Sequence, residues 1–346
     1  MTNQYTHKCV FVTGGTGSIG WQIVLEALRH RPKEVVVYSR DETAQFERKW
    51  ELPSDAAVRF VIGDIRDKER LHEAMRGSHI VFHAAALKHV PICESNPSEA
   101  VKTNVVGTQN VIDCALEHNV EKVIGISTDK AANASNVLGS TKFLAEKLMR
   151  ATNLQTGDRQ TKFCFVRFGN VLGSRGSVVP LFVAQAKAGG PLTITDPAMT
   201  RFFMTLPQAV TLIFKAAQLV RNREIFILKM PTARMGDLAQ AVISLVVPLG
   251  TKRKNIAIRV IGIREGERTH EVMLSYEESR VALETDDMFI LLPDSHSSSE
   301  QGWKQSYPSM RPARIGAYES QKEKTLSVAD LKKMLEQDNV LRHADL

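Results

Sequence analysis

The sequence predicts an α/β fold, in which a doubly wound parallel sheet is followed by a smaller C-terminal α/β lobe. Two observations support this prediction. Short runs of β-branched and aromatic residues alternate with amphipathic stretches in the first half, as buried parallel strands alternate with helices. After about residue 170 the runs shorten, and Gly, Pro and Arg become frequent. We therefore expect a sheet domain at 1–170, to which later segments return, a lobe mainly at 171–291, and a variable tail at 292–346.

Six strands are predicted in the first half, and each is an apolar run flanked by polar residues. In chain order they are CVFVT, EVVVY, VRFVIG, HIVFHAA, KVIGIS and KFCFVRF. The segment 292–325 is polar and predicts irregular structure. A last helix should follow in SVADLKKMLEQ, capped by Ser327 with Asp330 at its third position.

Composition narrows the class of protein and of ligand. The 45 basic and 38 acidic residues give a net charge of +7 spread along the chain, which favours an anionic small molecule over nucleic acid. The four cysteines are too scattered for a metal site and are expected to be buried free thiols in the cytoplasm. No apolar run approaches the roughly 18 residues of a membrane span, so no membrane insertion is expected.

A glycine-rich turn follows the first predicted strand in VFVTGGTGSIG. Glycines at this place allow a tight turn, and they let backbone N–H groups approach a diphosphate at the start of the next helix, from about Ser18. The strand–turn–helix context predicts a dinucleotide site. Its expected contacts here are Gly14, Thr16, Gly17, Ser18 and Ile19.

The end of the second strand bears on the choice of dinucleotide. An NAD enzyme usually has a carboxylate there, whereas this chain has Ser39 and Arg40. A hydroxyl and a guanidinium suit a 2′-phosphate, which favours NADP; Asp41 follows at once and keeps NAD possible.

Two further segments are expected to contact the dinucleotide. Asp64 and Ile65 follow the third strand, where an adenine edge can be bound. Small residues after the fourth strand let the backbone pass close to the cofactor, or else reflect close helix packing; they are Ala84, Ala85 and Ala86.

The fifth strand ends in STDK, which places Thr128, Asp129 and Lys130 at the ligand-binding edge of the sheet. Lys142 lies on the following helix, four residues after Leu138. A surface ion pair is the ordinary interpretation of adjacent charges, but the position after a buried strand favours a catalytic role.

Several long motifs occur together in order. They are TGGTGSIG, AALKHVPICESNP, STDKAAN, RFGNVLGSRGSVVP, MTRFFMT and GIREGERTHEVMLS. With them the chain resembles the UDP-N-acetylglucosamine 4,6-dehydratase group, of polysaccharide biosynthesis type, within the extended short-chain dehydrogenase/reductase (SDR) superfamily. The resemblance covers about residues 8–280 and implies a Rossmann domain with tightly bound NADP.

The resemblance also implies a mechanism. Such enzymes move a hydride from sugar C4 to the nicotinamide, eliminate water across C5 and C6, and return the hydride to C6. The resemblance assigns the dehydration chemistry to Thr128, Asp129 and Lys130. It assigns the binding of the nicotinamide ribose to Lys142. Most of the superfamily has a tyrosine base where this chain has Leu138. We expect Lys130 to act as base with a lowered pKa, Asp129 as the C6 acid and Thr128 as relay.

The sugar nucleotide is expected to contact the second half of the chain and the loop after the fourth strand. The substrate-binding candidates are Lys88, Asn170, Arg175, Arg201, Arg259 and Glu265, with Glu267 as an alternative to the last. Relatives associate through Rossmann helices, so a homo-oligomer, dimer or hexamer, is expected.

The resemblance favours a dehydratase that serves the synthesis of bacterial surface glycans. The alternatives are a nucleotide-sugar epimerase and a non-catalytic NADP-binding regulator, and Leu138 in place of the tyrosine suggests the regulator.

Overall fold

The computed structural model describes residues 4–152, 161–246, 256–293, 300–337 and 340–341. In these residues the strands, in chain order, are β1 (Cys9–Thr13), β2 (Glu34–Ser39), β3 (Val58–Ile62), β4 (Ile80–His83), β5 (Lys122–Thr128), β6 (Lys162–Phe168), β7 (Asn170–Val171), β8 (Leu192–Ile194), β9 (Thr200–Met204), β10 (Glu224–Leu228), β11 (Thr232–Arg234), β12 (Ile258–Val260), β13 (Val272–Leu274), β14 (Ala282–Glu284), β15 (Met288–Leu291), β16 (Arg311–Pro312) and β17 (Tyr318–Glu319). The α-helices are α1 (Ser18–Arg29), α2 (Glu42–Trp50), α3 (Lys68–Met75), α4 (Val90–Ser95), α5 (Pro97–Ala100), α6 (Gly107–Glu117), α7 (Val137–Arg150), α8 (Val178–Lys187), α9 (Leu206–Leu219), α10 (Met235–Val246), α11 (Tyr276–Ser279), α12 (Glu300–Ser306) and α13 (Val328–Gln337).

A ten-stranded sheet organises the molecule, in the order β3, β2, β1, β4, β5, β6, β10, β15, β14, β16. The strands from β3 to β10 are parallel, and the last three pair antiparallel. All six predicted strands of the first half are present, and the predicted doubly wound α/β fold is confirmed. The strand order reverses between β1 and β4, which opens a cleft at the carboxyl edge of the sheet.

Both faces of the parallel strands are buried, because helices cover each of them. The strand β1 is buried at every position, and its Val12 lies opposite Val37 on one side and Phe82 on the other. Helix α9 covers part of one face, and its Phe214 packs 5.1 Å from Phe82, measured between ring centroids. Burial on both sides explains why these strands appear in the sequence as continuous apolar runs.

A second apolar core lies in the smaller lobe. It is built from α8, α10 and α13 with short strands of the second half, and Leu331 and Leu335 of the last helix are fully buried in it. The predicted cap of this helix is confirmed, since Ser327 Oγ accepts from Asp330 N and an Asp330 carboxylate oxygen accepts from Ser327 N. The end of the chain therefore contributes to the lobe's core.

The prediction that 292–325 is irregular is wrong in part. The segment contains α12 and two short strands, of which β16 joins the edge of the large sheet and β17 pairs with β13. Strands of two residues are formed by their partners and leave no periodic pattern in the sequence. Residues 294–299 of the segment lie outside the described residues.

Three observations concern the cysteines, the possibility of a membrane span and the possibility of a metal site. The four cysteines are free and buried, as expected. Among the described helices none has both the length and the apolar character that crossing a bilayer requires. Within the same residues no cluster of three His, Cys, Asp or Glu side chains is arranged to hold a metal ion.

Candidate active site

A cavity of about 610 Å³ opens at the carboxyl edge of the sheet. It brings together most of the site residues that the sequence predicts. Those lining it are Gly14, Thr16, Gly17, Ser18, Ile19, Ser39, Arg40, Asp64, Ile65, Ala84, Ala85, Ala86, Lys88, Thr128, Lys130, Lys142, Asn170 and Arg175.

The glycine turn forms one wall of the cavity and places the start of α1 against it. Gly14 has φ +64°, and a Cβ there would lie 2.8 Å from the backbone of Ala85. A Cβ on Gly20 would lie 2.2 Å from Gly14 O. Only glycine lets the turn, the helix and the alanine loop approach so closely. A dinucleotide diphosphate fits this turn, because the first N–H groups of α1 have no partners within the helix.

At the end of β2, Ser39 and Asp41 form local hydrogen bonds and the Arg40 side chain faces the cavity. The Ser39 hydroxyl bonds the Thr16 hydroxyl at 2.8 Å and accepts from Asp41 N. Asp41 caps α2, since its carboxylate accepts from Ala44 N at 2.9 Å. The Arg40 side chain is 57% exposed, and its Nη1 lies 3.5 Å from Asp64 Oδ2, which is a long and weak contact.

Asp64 is oriented mainly by Arg66. Its carboxylate accepts from the Arg66 backbone N–H and from that residue's guanidinium, at 2.7 to 3.0 Å. Burial opposes the charge of Asp64, but the Arg66 hydrogen bonds outweigh it and lower the pKa of the carboxyl. Asp64 is therefore a fixed acceptor beside the cavity.

The loop that follows β4 is held by an asparagine in a π-helical turn, Val101–Val106. Asn104 accepts from Leu87 N at 2.8 Å and donates to Leu87 O at 3.1 Å. It also donates to the Thr141 hydroxyl, next to Lys142. A single side chain thus fixes the alanine loop relative to α7.

Thr128, Asp129 and Lys130 form a compact cluster where β5 ends in a 3₁₀ turn. The Thr128 hydroxyl donates to Asp129 Oδ1 at 2.8 Å, and Lys130 Nζ lies 3.0 Å from the same oxygen. Thr128 and Lys130 line the cavity, whereas Asp129 is fully buried behind them. Thr128 therefore connects the cavity to the Asp129 carboxylate.

The expectation that the pKa of Lys130 is lowered is wrong. A second carboxylate, Glu271, lies 3.1 Å from Lys130 Nζ. Burial alone disfavours the charged lysine, but Asp129 and Glu271 outweigh it, so the pKa of Lys130 is raised. Lys130 is consequently a stable cation and a poor base.

Lys142 has the opposite electrostatic environment. Its side chain is buried, and within the described residues its ammonium group has no hydrogen-bond or ion-pair partner and lies 6.0 Å from the centroid of the Phe165 ring. Burial lowers its pKa to about 8, against a smaller opposing effect of Glu146. Nearby His83 is held neutral between Thr13 and Thr108, because burial and then the Lys142 charge lower its pKa to about 3.

A buried ionic network lies next to the Thr128–Asp129–Lys130 cluster. Arg167 of β6 donates to Glu146 at 2.7 and 3.1 Å and to Glu278 at 3.0 Å. Ser127, which precedes the Thr128 cluster, donates to Glu146 at 2.6 Å. Glu146 lies one turn after Lys142 on α7, so the network ties the helix that carries Lys142 to β5, β6 and α11.

Leu138 separates the cavity from a small apolar cluster. It is 4% exposed, lines the cavity, and packs with Cys93 and Ala100. The hydroxyl that a superfamily tyrosine would provide is therefore replaced here by hydrocarbon.

The substrate-binding candidates divide into two sets. Arg175 donates from its guanidinium to Thr16 O at 2.9 Å, and Lys88 Nζ donates to Arg175 O at 2.6 Å, so both close over the glycine turn. Arg201 lies inside the protein, where its terminal nitrogens bond backbone carbonyls and Met199. Arg259 and Glu265 are exposed and do not line the cavity.

Sequence reasoning missed three contributors to this site, which are Asn104, Glu146 and Glu271. Asn104 and Glu146 lie within ordinary helical patterns that carry no signal of a partner. Glu271 lies in GIREGERTHEVMLS, a motif that indicated Glu265 and Glu267 instead. Its position directly before β13 was the available signal, since polar residues at strand ends often face a site.

The family comparisons agree with this geometry. A sequence profile of the family described as "Polysaccharide biosynthesis protein" matches residues 10–293. A protein of Methanocaldococcus jannaschii named as an uncharacterized membrane protein is 52% identical over 294 residues, 85% of this chain and 88% of that one. A protein of Campylobacter jejuni named UDP-N-acetylglucosamine 4,6-dehydratase (inverting) is 43% identical over 293 residues, 84% of each chain.

Other relatives of this chain are named as a different enzyme. Two solved structures are also similar to it. A protein of Rickettsia akari named UDP-glucose 4-epimerase is 43% identical over 278 residues, 79% of this chain and 80% of that one. The X-ray structure of Pen from Bacillus thuringiensis has a TM-score of 0.89 and 39% identity over 97% of this chain and 99% of that one. A dTDP-glucose 4,6-dehydratase from Streptomyces venezuelae, solved with NAD bound, has a TM-score of 0.66 and 26% identity, covering 75% and 86%. The chain therefore belongs to the polysaccharide biosynthesis protein family, with the fold of the extended short-chain dehydrogenases/reductases.

Proposed function

We propose that the chain is a nucleotide-sugar 4,6-dehydratase that converts a UDP-N-acetylhexosamine, with UDP-N-acetylglucosamine favoured, to a 4-keto-6-deoxy sugar nucleotide for surface glycan synthesis. The observation that carries the proposal is the Thr128–Asp129–Lys130 cluster, which shares one cavity with the glycine turn and Lys142. The relatives named as dehydratases support it.

The chemistry explains why such a cluster is needed. A nicotinamide dinucleotide, when bound, would take a hydride from C4 and return it to C6. A ketone at C4 makes the C5 proton acidic, and the C6 hydroxyl then leaves with a proton as water. C5 regains a proton when the hydride reaches C6. We assign the proton movements at C5 and C6 to Asp129 through the Thr128 hydroxyl, and a fixed positive charge beside the sugar to Lys130. Lys142, with its pKa lowered to about 8, is the better base for the O4 proton.

We infer that the dinucleotide is NADP. Arg40 is half exposed at the cavity and only weakly paired, while the Asp41 carboxylate is engaged as a helix cap. An arginine suits a 2′-phosphate, and an engaged carboxylate is less available to a ribose 2′-hydroxyl.

The cofactor assignment predicts a selective effect of Arg40→Ala. The variant should lose about tenfold or more in affinity for NADP, because a charge-assisted contact to the phosphate is removed, and less than about twofold for NAD. Calorimetric titration of both dinucleotides measures this difference. Equal losses would refute the 2′-phosphate assignment.

A 4-epimerase is the second candidate, and the relatives named UDP-glucose 4-epimerase favour it. Epimerisation returns the hydride to C4 and requires no acid for a C6 hydroxyl, so the Asp129 cluster would have no function in it.

We also propose that the protein is a cytoplasmic homo-oligomer. The exposed apolar residues Val101, Val106, Phe143 and Leu144 on neighbouring helices support association.

One experiment separates these candidates. The protein is incubated with NADP and UDP-N-acetylglucosamine, and the products are analysed by mass spectrometry and proton NMR. A dehydratase gives a product lighter by one water, an epimerase gives an isomer of unchanged mass, and a regulator gives no product. Asp129→Asn should abolish the loss of water while dinucleotide binding persists.

A further inference from the structure

The inference concerns a buried cluster of four charged side chains behind the cavity. Lys130 Nζ lies 3.0 Å from Asp129 Oδ1 and 3.1 Å from Glu271 Oε1. Arg201 Nε lies 3.5 Å from the same Glu271 oxygen. The side chains of Asp129, Glu271, Arg201 and Lys130 are 0, 2, 8 and 18% exposed. Two cations thus balance two carboxylates, and Lys130 alone of the four reaches the cavity wall.

Glu271 is held rigidly by its backbone. Its N–H donates to Ser320 Oγ at 2.9 Å, and its carbonyl accepts from Ser320 N at 2.9 Å. The Ser320 hydroxyl is in turn within 2.7 Å of the Thr200 hydroxyl, so three segments of the second half fix one glutamate. The Glu271 side chain therefore reaches Lys130 from a segment of the second half of the chain.

Each carboxylate keeps one oxygen without a partner. Asp129 Oδ2 and Glu271 Oε2 are buried and make no hydrogen bond to the described residues. Buried polar atoms are ordinarily paired, so this arrangement is not explained by stability alone. Both unpaired oxygens belong to the carboxylates that contact Lys130.

We propose that Glu271 is a positioning residue which, together with Asp129, holds Lys130 as an ammonium ion at the wall of the cavity. This proposal rests on the proposed function, in which the ammonium faces the sugar oxygen that gains negative charge. The charged groups facing Lys130 are Asp129 from its own turn, Glu271 next to β13, and Arg201 of β9. The two carboxylates outweigh Arg201, whose terminal nitrogens are engaged by carbonyls.

The first test measures the charge of Lys130 without substrate. Lysine side chains labelled with ¹³C and ¹⁵N are titrated by NMR, and Lys130 is assigned by its loss in Lys130→Arg. The wild-type residue should remain protonated at pH 10.5, the ordinary lysine pKa. Glu271→Gln should lower its midpoint by about 1 to 3 pH units, the usual effect of one close charge. Equal midpoints in the two proteins would overturn the proposal.

Glu224→Gln is the matched control. Glu224 is also buried and accepts from the backbone N–H groups of Arg221 and Asn222, but it begins β10 at the amino edge, away from the cavity. It should leave the Lys130 midpoint unchanged. If Glu271→Gln does not fold, as judged by circular dichroism, the wild-type midpoint decides: a value below 10.5 refutes the proposal.

The second test uses turnover. For Glu271→Gln the alkaline limb of the kcat profile should move to lower pH by the same interval, with KM changed less than about twofold, because only the charge of Lys130 has been altered. A kcat reduced by one factor at every pH would indicate a merely structural role and overturn the proposal. If the wild type releases no water from the substrate, the proposed function fails, and the titration alone decides the role of Glu271.

Discussion

At the scale of single residues, the two lysines of the site differ because their surroundings differ. Lys130 has two carboxylates within 3.1 Å, whereas Lys142 is buried with its Nζ 6.0 Å from the centroid of the Phe165 ring. The first is held charged, and the second loses its proton near pH 8. Both side chains are lysines, so the difference in their charge comes from their surroundings.

The lowered pKa of Lys142 predicts a pH-dependent cost in stability. The folded value is about 8 and the ordinary value 10.5, so the unfolded chain binds more protons between these limits and stability rises with pH there. Lys142→Met should therefore stabilise the protein by about 3 kcal/mol at pH 7. The gain should shrink by about 2 kcal/mol at pH 9.5. Urea unfolding at both pH values tests this, and a gain that grows with pH would contradict it.

Leu138 predicts that the site has adapted to an apolar side chain. Leu138→Tyr must fit extra volume and a hydroxyl between the cavity and Cys93, which typically costs about 1–3 kcal/mol. Turnover should stay unchanged or fall, and Leu138→Met, the control, should be nearly neutral. A tenfold gain for Leu138→Tyr would mean that the enzyme had lost a tyrosine on which it depended.

At the scale of elements, the Arg167 network determines how α7 sits on the sheet. Ser127 of β5 lies opposite Arg167 of β6, and both side chains reach Glu146 of α7. The same arginine reaches Glu278 of α11, in the second half of the chain. The placement of Lys142 therefore depends on an ionic contact between the first and second halves.

Removing Arg167 should be strongly destabilising. Arg167→Met leaves Glu146 and Glu278 as buried or partly buried carboxylates without their cation, which typically costs about 3–5 kcal/mol. Arg311→Met is the control, because Arg311 is 67% exposed in its pair with Glu284 and should cost under about 1 kcal/mol. Urea denaturation compares them, and similar losses would show that the network contributes little.

At the scale of the whole molecule, the large sheet is completed by strands from the second half. The strand β10 pairs with β6, and β15 pairs with β10. Helix α9 covers the sheet, where Phe214 packs on Tyr5 and Phe82. We therefore propose that residues 1–170 do not fold as an independent domain.

A fragment of residues 1–170 tests this interdependence. In the fragment β6 would pair with β5 but would have no partner strand on its other edge. The apolar face under α9 would also be exposed, and both changes promote aggregation. We expect an insoluble fragment, or one without a cooperative thermal transition by circular dichroism, beside a full-length chain that has one. A soluble fragment with a sharp transition would show that the first half is self-sufficient.

The sequence by itself determined the strands of the first half, the glycine turn and the Thr128–Asp129–Lys130 segment. Each is local: a run of apolar residues, a turn that needs glycine, or polar residues directly after a buried strand. These features were sufficient to predict the doubly wound sheet and to locate the cavity at its carboxyl edge.

Only the tertiary structure decided what surrounds those residues. Glu271 meets Lys130, Glu278 meets Arg167, and Arg201 turns inward, although each pair or contact joins segments far apart in the chain. The charge of a buried group depends on such neighbours, which no local pattern specifies. The prediction of a lowered pKa for Lys130 was wrong for this reason, since its second carboxylate, Glu271, comes from a segment far along the chain.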